Sequence, residues 1–248
     1  MSHKTLAFLA GAALVAIQGL VPPSVYAVGN GLPFGFRETP IPGAQMNAVF
    51  ANSLDFTYHD CTDFTAPGVF TERGYLWLSS FQDAPGVVLS QLNHFLPNGY
   101  KMYARYIYEG EECGRAEMCQ SDRTRVNYPL HEGSIQLFLD PLQDTVLGLN
   151  NCAVTVANNA DDVPLGGAPI SIYGEKTETD DRINGDFEIE FANWQFSAFG
   201  LGLFRDVNGN PLQANRLVIN GNVTRLLGPL GADHRPEGSG NLFWLWVD

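Results

Sequence analysis

One stretch of this chain, residues 133–145, alternates apolar and polar side chains and then stops at an acidic turn. From Ile135 to Leu139 every second residue is aliphatic, which is the period of a strand with one buried face. The proline after Asp140 ends the strand, because proline lacks the N–H needed for a further ladder hydrogen bond. Asp140 and Asp144 then share one turn, where carboxylates either cap the backbone or bind a cation such as calcium.

The same period of two recurs along the chain, and no helical periodicity is sustained anywhere. The clearest further strands are residues 48–58, 100–108 and 185–194. Short strands separated by Gly-, Pro- and Asn-rich turns are typical of two packed antiparallel sheets. We therefore predict an all-β fold, an antiparallel β-sandwich or jelly roll. Residues 28–43, rich in glycine and proline, are expected to form an irregular N-terminal arm, and Asn220-Gly221 predicts a hairpin turn.

The first 27 residues have the pattern of a secretory signal peptide. Lys4 supplies the positive charge, an apolar run extends from Thr5 to Val21, and a small-residue pattern ends at Ala27. The run is short for a membrane span and a cleavage pattern follows it, so we expect cleavage after Ala27 and not an uncleaved anchor. The mature chain, residues 28–248, is then one secreted or periplasmic β-sandwich domain, and we expect no transmembrane segment after cleavage.

The charge balance limits the partners of such a protein. The full chain has 14 Lys and Arg against 27 Asp and Glu, and without Lys4 the mature chain has a formal net charge of −14. An acidic protein of this kind is a poor partner for nucleic acid or for an anionic membrane. Its charge favours solubility and bound cations.

Four cysteines follow the predicted signal, which in an exported chain indicates two disulfides. Three pairings are possible. Cys113 and Cys119 lie close together in a Glu- and Gly-rich segment, so we favour a bond between them and a second bond between Cys61 and Cys152. A metal site is the alternative, but neither the spacing nor the nearby histidines match zinc ligation.

Aromatic residues supply the candidate ligand contacts. Rings and amides on a sheet suit sugar stacking and hydrogen bonding, so polysaccharide is a possible partner. The predicted ligand-binding residues are Trp77, Tyr100, Tyr103, Tyr106 and Trp194.

Three carboxylates at alternating positions offer an enzymatic alternative. Asp186, Glu188 and Glu190 share one face of a strand, with neighbours about 6.6 Å apart, and paired carboxylates can hydrolyse a glycosidic bond. The strand resembles the Glu-x-Asp-x-Glu strand of the laminarinase and lichenase family of jelly-roll hydrolases. It departs from that pattern at Asp186, where the family has its nucleophilic glutamate, and at Glu188, where it has aspartate. The other interpretation is an amphipathic strand with its acids in solvent.

Three further segments carry a second resemblance, namely residues 99–104, 135–145 and 185–191. They resemble the flocculation-associated proteins of the exosortase-sorted (PEP-CTERM) class. This resemblance implies an exported, non-enzymatic bacterial protein linked to exopolysaccharide and cell aggregation. We expect no cofactor beyond a structural calcium, which turn carboxylates such as Asp140 and Asp144 would bind. Proteins of that class end in a Pro-Glu-Pro motif, a membrane helix and a basic tail, and the residues up to Asp248 do not show this pattern. We therefore expect the protein to be released from the cell or to be retained by contacts with other molecules. A purely structural surface protein remains a third interpretation.

Overall fold

The computed structural model describes most of the chain beyond residue 31. The described residues are 32–44, 48–66, 69–83, 86–111, 124–127, 133–168, 170–178, 183–225 and 234–247. The predicted signal peptide, Cys113 and Cys119 lie outside these ranges, and their predicted roles stay predictions.

Strands form almost all of the described secondary structure. In the first half of the chain they are β1 (Phe34–Phe36), β2 (Val49–Ala51), β3 (Ser53–Ala66), β4 (Val69–Asp83), β5 (Gly86–Val88), β6 (Lys101–Glu111), β7 (Thr124–Asn127) and β8 (Gly133–Asp140). In the second half they are β9 (Val146–Asn150), β10 (Ala153–Ala157), β11 (Val163–Ala168), β12 (Ile170–Glu178), β13 (Ile183–Ala192), β14 (Gln195–Phe196), β15 (Phe204–Arg205), β16 (Arg216–Arg225) and β17 (His234–Val247). A short helix, α1 (Ala198–Leu203), precedes β15.

One 12-stranded sheet dominates the fold. Its order is β14-β11-β8-β6-β4-β3-β17-β16-β13-β12-β7, with β5 paired to β4 off this path. All of the strand pairs in it are antiparallel. The prediction of an all-β, antiparallel fold is confirmed. β12 and β13 also contact β8 from the far part of the path, which fits a sandwich, while the jelly-roll connection order stays a prediction.

The core follows the alternation of the central strands. In β8, Ile135, Leu137 and Leu139 are buried, as their spacing predicts. The neighbouring β6 buries Met102 and Ala104 on the same side of the sheet. Full burial of one such aliphatic side chain contributes about 1.5–3 kcal/mol to folding stability. Because a one-residue slip would turn these side chains to the opposite face, their burial fixes the register of the strands.

Part of the predicted irregular N-terminal arm forms the short strand β1 and packs into the core. β1 pairs with both β2 and β15 in a separate 3-stranded sheet. Phe36 is fully buried, with its ring centroid 5.0 Å from that of Phe81 and 5.0 Å from that of Phe204. The apolar contacts of the phenylalanines outweigh the glycine and proline content, so the segment forms part of the core.

A disulfide joins Cys61 in β3 to Cys152 in the turn between β9 and β10, and this predicted pairing is confirmed. The turn itself requires left-handed backbone at Asn151 (φ 48°) and Cys152 (φ 56°). The bond fastens the hairpin of β9 and β10, which forms its own 2-stranded sheet, to the large sheet.

The predicted hairpin at Asn220-Gly221 is wrong. Both residues lie inside β16, where Gly221 is opposite Phe187 of β13 and Leu242 of β17. Pairing on both sides satisfies the backbone along the whole strand, and this outweighs the local turn preference of Asn-Gly.

Among the described residues no helix has the length and hydropathy to cross a membrane.

Candidate functional site

A row of three aromatic side chains crosses the sheet on the face opposite the aliphatic core. Trp77, Tyr103 and Phe138 lie on the adjacent strands β4, β6 and β8 and are paired directly in the register. The ring centroids of Trp77 and Tyr103 are 5.5 Å apart, and those of Tyr103 and Phe138 are 5.0 Å apart and stacked. Trp77 and Phe138 are half-buried, while Tyr103 between them is fully buried.

Two cations flank this aromatic row. The Lys101 ammonium lies 5.4 Å from the Trp77 ring centroid, and the Arg105 guanidinium lies 4.7 Å from that of Phe138. Both distances allow cation–π attraction. Arg105 also lies 3.4 Å from the Gln136 side-chain oxygen, and its buried Nε has no hydrogen-bond partner among the described residues. The aromatic row therefore has one cation beside each of its outer rings.

Next to Phe138 the sheet face deepens into a cleft of about 720 Å³. Its walls come from β6, β8, β11 and β14, and the exposed amides of Gln136 and Gln195 and the half-buried ring of Phe196 line it together with Arg105. Aromatic surface beside a few convergent polar groups is the usual makeup of a small-molecule or sugar site.

A second, smaller cavity of about 270 Å³ continues the cleft toward the β9–β10 hairpin. The two cavities share Arg105, Ser134 and Gln136, and the smaller one adds Arg73 and Val154. With strands about 4.8 Å apart, the path from β14 to β4 is about 19 Å long. Such a length suits an extended chain better than a compact ligand.

Close backbone packing shapes the cleft wall. A Cβ on Gly166 would lie 2.8 Å from the Gln195 backbone oxygen, and one on Gly167 would lie 2.5 Å from that of Ile135. The register of β11 against β8 shifts between Pro164 and Gly166. Gly166 leaves room for β14, which places Gln195 and Phe196 at the cleft edge, and Gly167 lets β11 lie close to β8.

Four of the five predicted ligand-binding aromatics are buried. The Tyr100 hydroxyl donates to Glu38 Oε1 at 2.8 Å, and both residues are fully buried. Burial, with the neighbouring Glu38 carboxylate, raises the pKa of Tyr100 well above its ordinary value. Tyr100 fastens the N-terminal segment and cannot stack on a sugar.

Tyr106 and Trp194 are also packing residues. Tyr106 lies over Gly74, and its ring stacks on that of Tyr108 with centroids 5.8 Å apart. Trp194 is 4 % exposed and packs against Phe196, with ring centroids 5.7 Å apart. Tyr103 is buried inside the aromatic row, which leaves Trp77 as the half-buried member of the predicted set. The other four side chains are buried and offer no open ring face in this structure.

The structure brings three aspartates together at the C-terminal end of β8. Asp140 and Asp144 come from the predicted turn, and Asp161 joins them from the segment before β11. One carboxylate oxygen from each lies within 4.8 Å of the others. From the sequence, Asp161 beside Asp162 is a second candidate cation turn, separate from that of Asp140 and Asp144, because its approach to them depends on the tertiary fold.

The enzymatic alternative rests on β13. Asp186, Glu188 and Glu190 do lie at alternating positions of this strand, between β12 and β16. Their side chains lie outside the described part of the structure, so the arrangement of their carboxylates stays a prediction.

Comparison of the chain with protein-family models, curated proteins and solved structures found no match. The protein is described by its own fold and cleft. It is an antiparallel β protein in which a disulfide fastens a hairpin beside a cleft lined by aromatic and cationic side chains. Sequence reasoning missed the residues of that cleft. The signals that mark them are the outward positions of β8, occupied by Gln136 and Phe138, and the Gln195-Phe196 pair.

Proposed function

We propose that this chain is an exported, non-enzymatic bacterial protein of the extracellular matrix or cell envelope, which binds exopolysaccharide and contributes to cell aggregation. The observation that carries the proposal is the cleft on the sheet face, lined by Arg105, which also lines the smaller cavity. The Cys61–Cys152 bond supports export, because disulfides persist in oxidising compartments.

The chemistry of the cleft suits a sugar chain. The half-buried Phe138 ring offers an apolar surface for the face of a sugar, while the amides of Gln136 and Gln195 can each donate and accept hydrogen bonds with hydroxyl groups. The connected cavities run across several strands, so a ligand with repeating units would contact the whole path.

The cations narrow the class of polysaccharide. Arg105 lies in both cavities and Arg73 lies in the smaller one. A guanidinium binds a carboxylate through paired, charge-assisted hydrogen bonds. A polysaccharide with uronic acid units fits these groups better than a neutral glucan, and electrostatic attraction to such a chain must act locally against the net negative charge of the protein.

Retention and cleavage measured together test the proposal. The purified mature protein is incubated with immobilised uronate-containing exopolysaccharide and with neutral β-glucans, and both bound protein and reducing-end release are recorded. We expect retention on the acidic polysaccharide without release. Release that disappears in Glu190→Gln would establish the hydrolase alternative, and absence of both retention and release would leave a purely structural protein.

A matched pair of variants locates the surface. Phe138→Ala removes a ring from the cleft, whereas Phe50→Ala removes a 60 % exposed ring from β2 outside the cleft. We expect retention to fall in the first variant and to stay unchanged in the second. Gln195→Ala should weaken retention too, and it should disturb packing less than Phe138→Ala because Gln195 is exposed. Equal retention in all three variants would place binding elsewhere.

A further inference from the structure

The acidic cluster of Asp140, Asp144 and Asp161 differs from an ordinary polar turn in the burial of one member, Asp140. Asp140 is 0 % exposed, and one of its oxygens, Oδ2, accepts the Thr145 backbone N–H at 3.3 Å. Its other oxygen, Oδ1, is buried with no hydrogen-bond partner among the described residues, and the same holds for Asp161 Oδ2. Buried carboxylate oxygens without partners are costly unless a cation compensates them.

The surroundings of Asp140 disfavour its ionised form. Burial raises the pKa of Asp140 above its ordinary value, and the neighbouring Asp162 carboxylate raises it further, while backbone N–H groups of the turn lower it. Repulsion from the Asp162 carboxylate and desolvation act in the same direction here. A divalent cation would reverse both effects.

Hydrogen bonds outside the cluster hold its frame in place. The Gln143 amide donates to the His94 backbone oxygen at 2.6 Å, and the Asn158 amide donates to the Asp144 backbone oxygen at 3.2 Å. Asp162 accepts from the Tyr103 hydroxyl at 2.5 Å and from the Thr145 hydroxyl at 2.9 Å. The Asp162 carboxylate is thus occupied, and its contacts fix the position of the adjacent Asp161.

The turn at Asp206 provides the contrast. Asp206 is another aspartate on a turn, but its Oδ1 accepts the backbone N–H groups of Asn208 and Asn210 at 2.9 and 2.8 Å, and its Oδ2 accepts the Asn210 amide. Its carboxylate caps its own turn in solvent. The cluster at the end of β8 has no equivalent set of donors for Asp140 Oδ1 and Asp161 Oδ2 among the described residues.

We propose that Asp140, Asp144 and Asp161 bind one Ca²⁺ ion between the end of β8 and the segment before β11. Ca²⁺ binds oxygen ligands at about 2.4 Å, so two ligands of one ion are at most about 4.8 Å apart. The three carboxylate oxygens meet this limit. Ca²⁺ accepts 6–8 oxygen ligands in irregular geometry, so water molecules can complete its coordination shell beside the three carboxylates. Mg²⁺ requires a nearly ideal octahedral arrangement of six ligands.

The expected affinity is that of an extracellular site. Three carboxylates, two of them at least partly exposed, with water as the remaining ligands correspond to a dissociation constant on the order of 10⁻⁴–10⁻³ M. Binding would join the β8 turn to the segment before β11, and hence strengthen the position of Asp162 beneath the aromatic row. The site does not depend on the proposed polysaccharide function.

Calorimetric titration of the chelator-treated full chain tests the site. We expect one Ca²⁺ ion to bind per chain. In thermal unfolding, CaCl₂ should raise the melting temperature, and MgCl₂ at equal concentration should raise it clearly less. Asp144→Asn and Asp161→Asn, at positions that are not fully buried, should weaken Ca²⁺ binding by roughly tenfold or more because each removes a ligand charge. Asp140→Asn should do the same if it folds.

Asp206→Asn is the matched control, because it removes a turn carboxylate of the same type outside the cluster, and it should leave Ca²⁺ binding unchanged. Absence of Ca²⁺ binding by the unaltered protein at about 10 mM, well above the expected range, would overturn the proposal. Equal Ca²⁺ affinity in the unaltered protein and in Asp161→Asn would overturn it as well, and a larger response to Mg²⁺ would refute the choice of ion.

Discussion

Removal of the Cys61–Cys152 bond should destabilise the protein more than any single surface change. The bond closes a sequence separation of 91 residues. In the chain-entropy model, a loop of this length restricts the unfolded chain by about 4.6 kcal/mol at 25 °C. For a domain of this size, 1 kcal/mol corresponds to about 2–4 °C in melting temperature, so the double variant Cys61→Ala/Cys152→Ala should melt about 9–18 °C lower.

Urea unfolding at 25 °C, followed by tryptophan fluorescence, measures this loss. We also expect a larger m-value for the double variant, since its unfolded chain exposes more surface. The paired control is Cys113→Ala/Cys119→Ala, whose predicted bond closes a much shorter loop and should contribute about 2.4 kcal/mol by the same model. A loss below about 1 kcal/mol in the Cys61/Cys152 variant, or a loss smaller than in the control, would refute the reasoning.

Two further predictions concern packing and pH. Gly74→Ala should destabilise the fold by about 1–3 kcal/mol, because a Cβ there would lie 2.4 Å from the Tyr106 ring and 2.6 Å from the His59 oxygen. Gly202→Ala in α1, where nothing lies within 4 Å, should be neutral or stabilising in the same urea assay; similar losses in the two variants would contradict the packing argument. For Asp55, burial raises the pKa above 3.8 although a hydrogen bond from Ser80 lowers it, so the folded state disfavours the ionised form. Asp55→Asn should therefore gain stability over the unaltered protein at pH 7, and this gain should shrink as the pH falls through the raised pKa; a gain that grows toward acid pH would show the opposite shift.

Local patterns in the sequence account for the correct part of the fold prediction. The alternation of β8 was readable because one face of that strand is buried and the period of two is a property of the strand itself. The Cys61–Cys152 pairing was readable because the other two cysteines lie close together along the chain. Both inferences depend on neighbours in sequence, and neither needs the order of strands in the sheet.

The cleft and the third aspartate depend on long-range contacts. Gln195 and Phe196 reach the cleft because Gly166, next to a register shift in β11, leaves room for β14. Asp161 reaches Asp140 because β11 pairs with β8. No local period encodes such approaches, and the same limit explains why Tyr100 was assigned to a surface when a buried glutamate accepts its hydroxyl hydrogen.

The central claim is that the cleft binds an acidic polysaccharide. Its most direct test compares the dissociation constants with which the unaltered protein and the Arg105→Gln variant bind a uronate-containing exopolysaccharide. Loss of a charge-assisted hydrogen bond costs about 1.5–3 kcal/mol, and each 1.4 kcal/mol is about tenfold, so binding through this cleft predicts at least roughly tenfold weaker affinity in the variant. Affinity for a neutral β-glucan should change little. An unchanged dissociation constant for the acidic polysaccharide in a folded Arg105→Gln protein would contradict binding in the cleft.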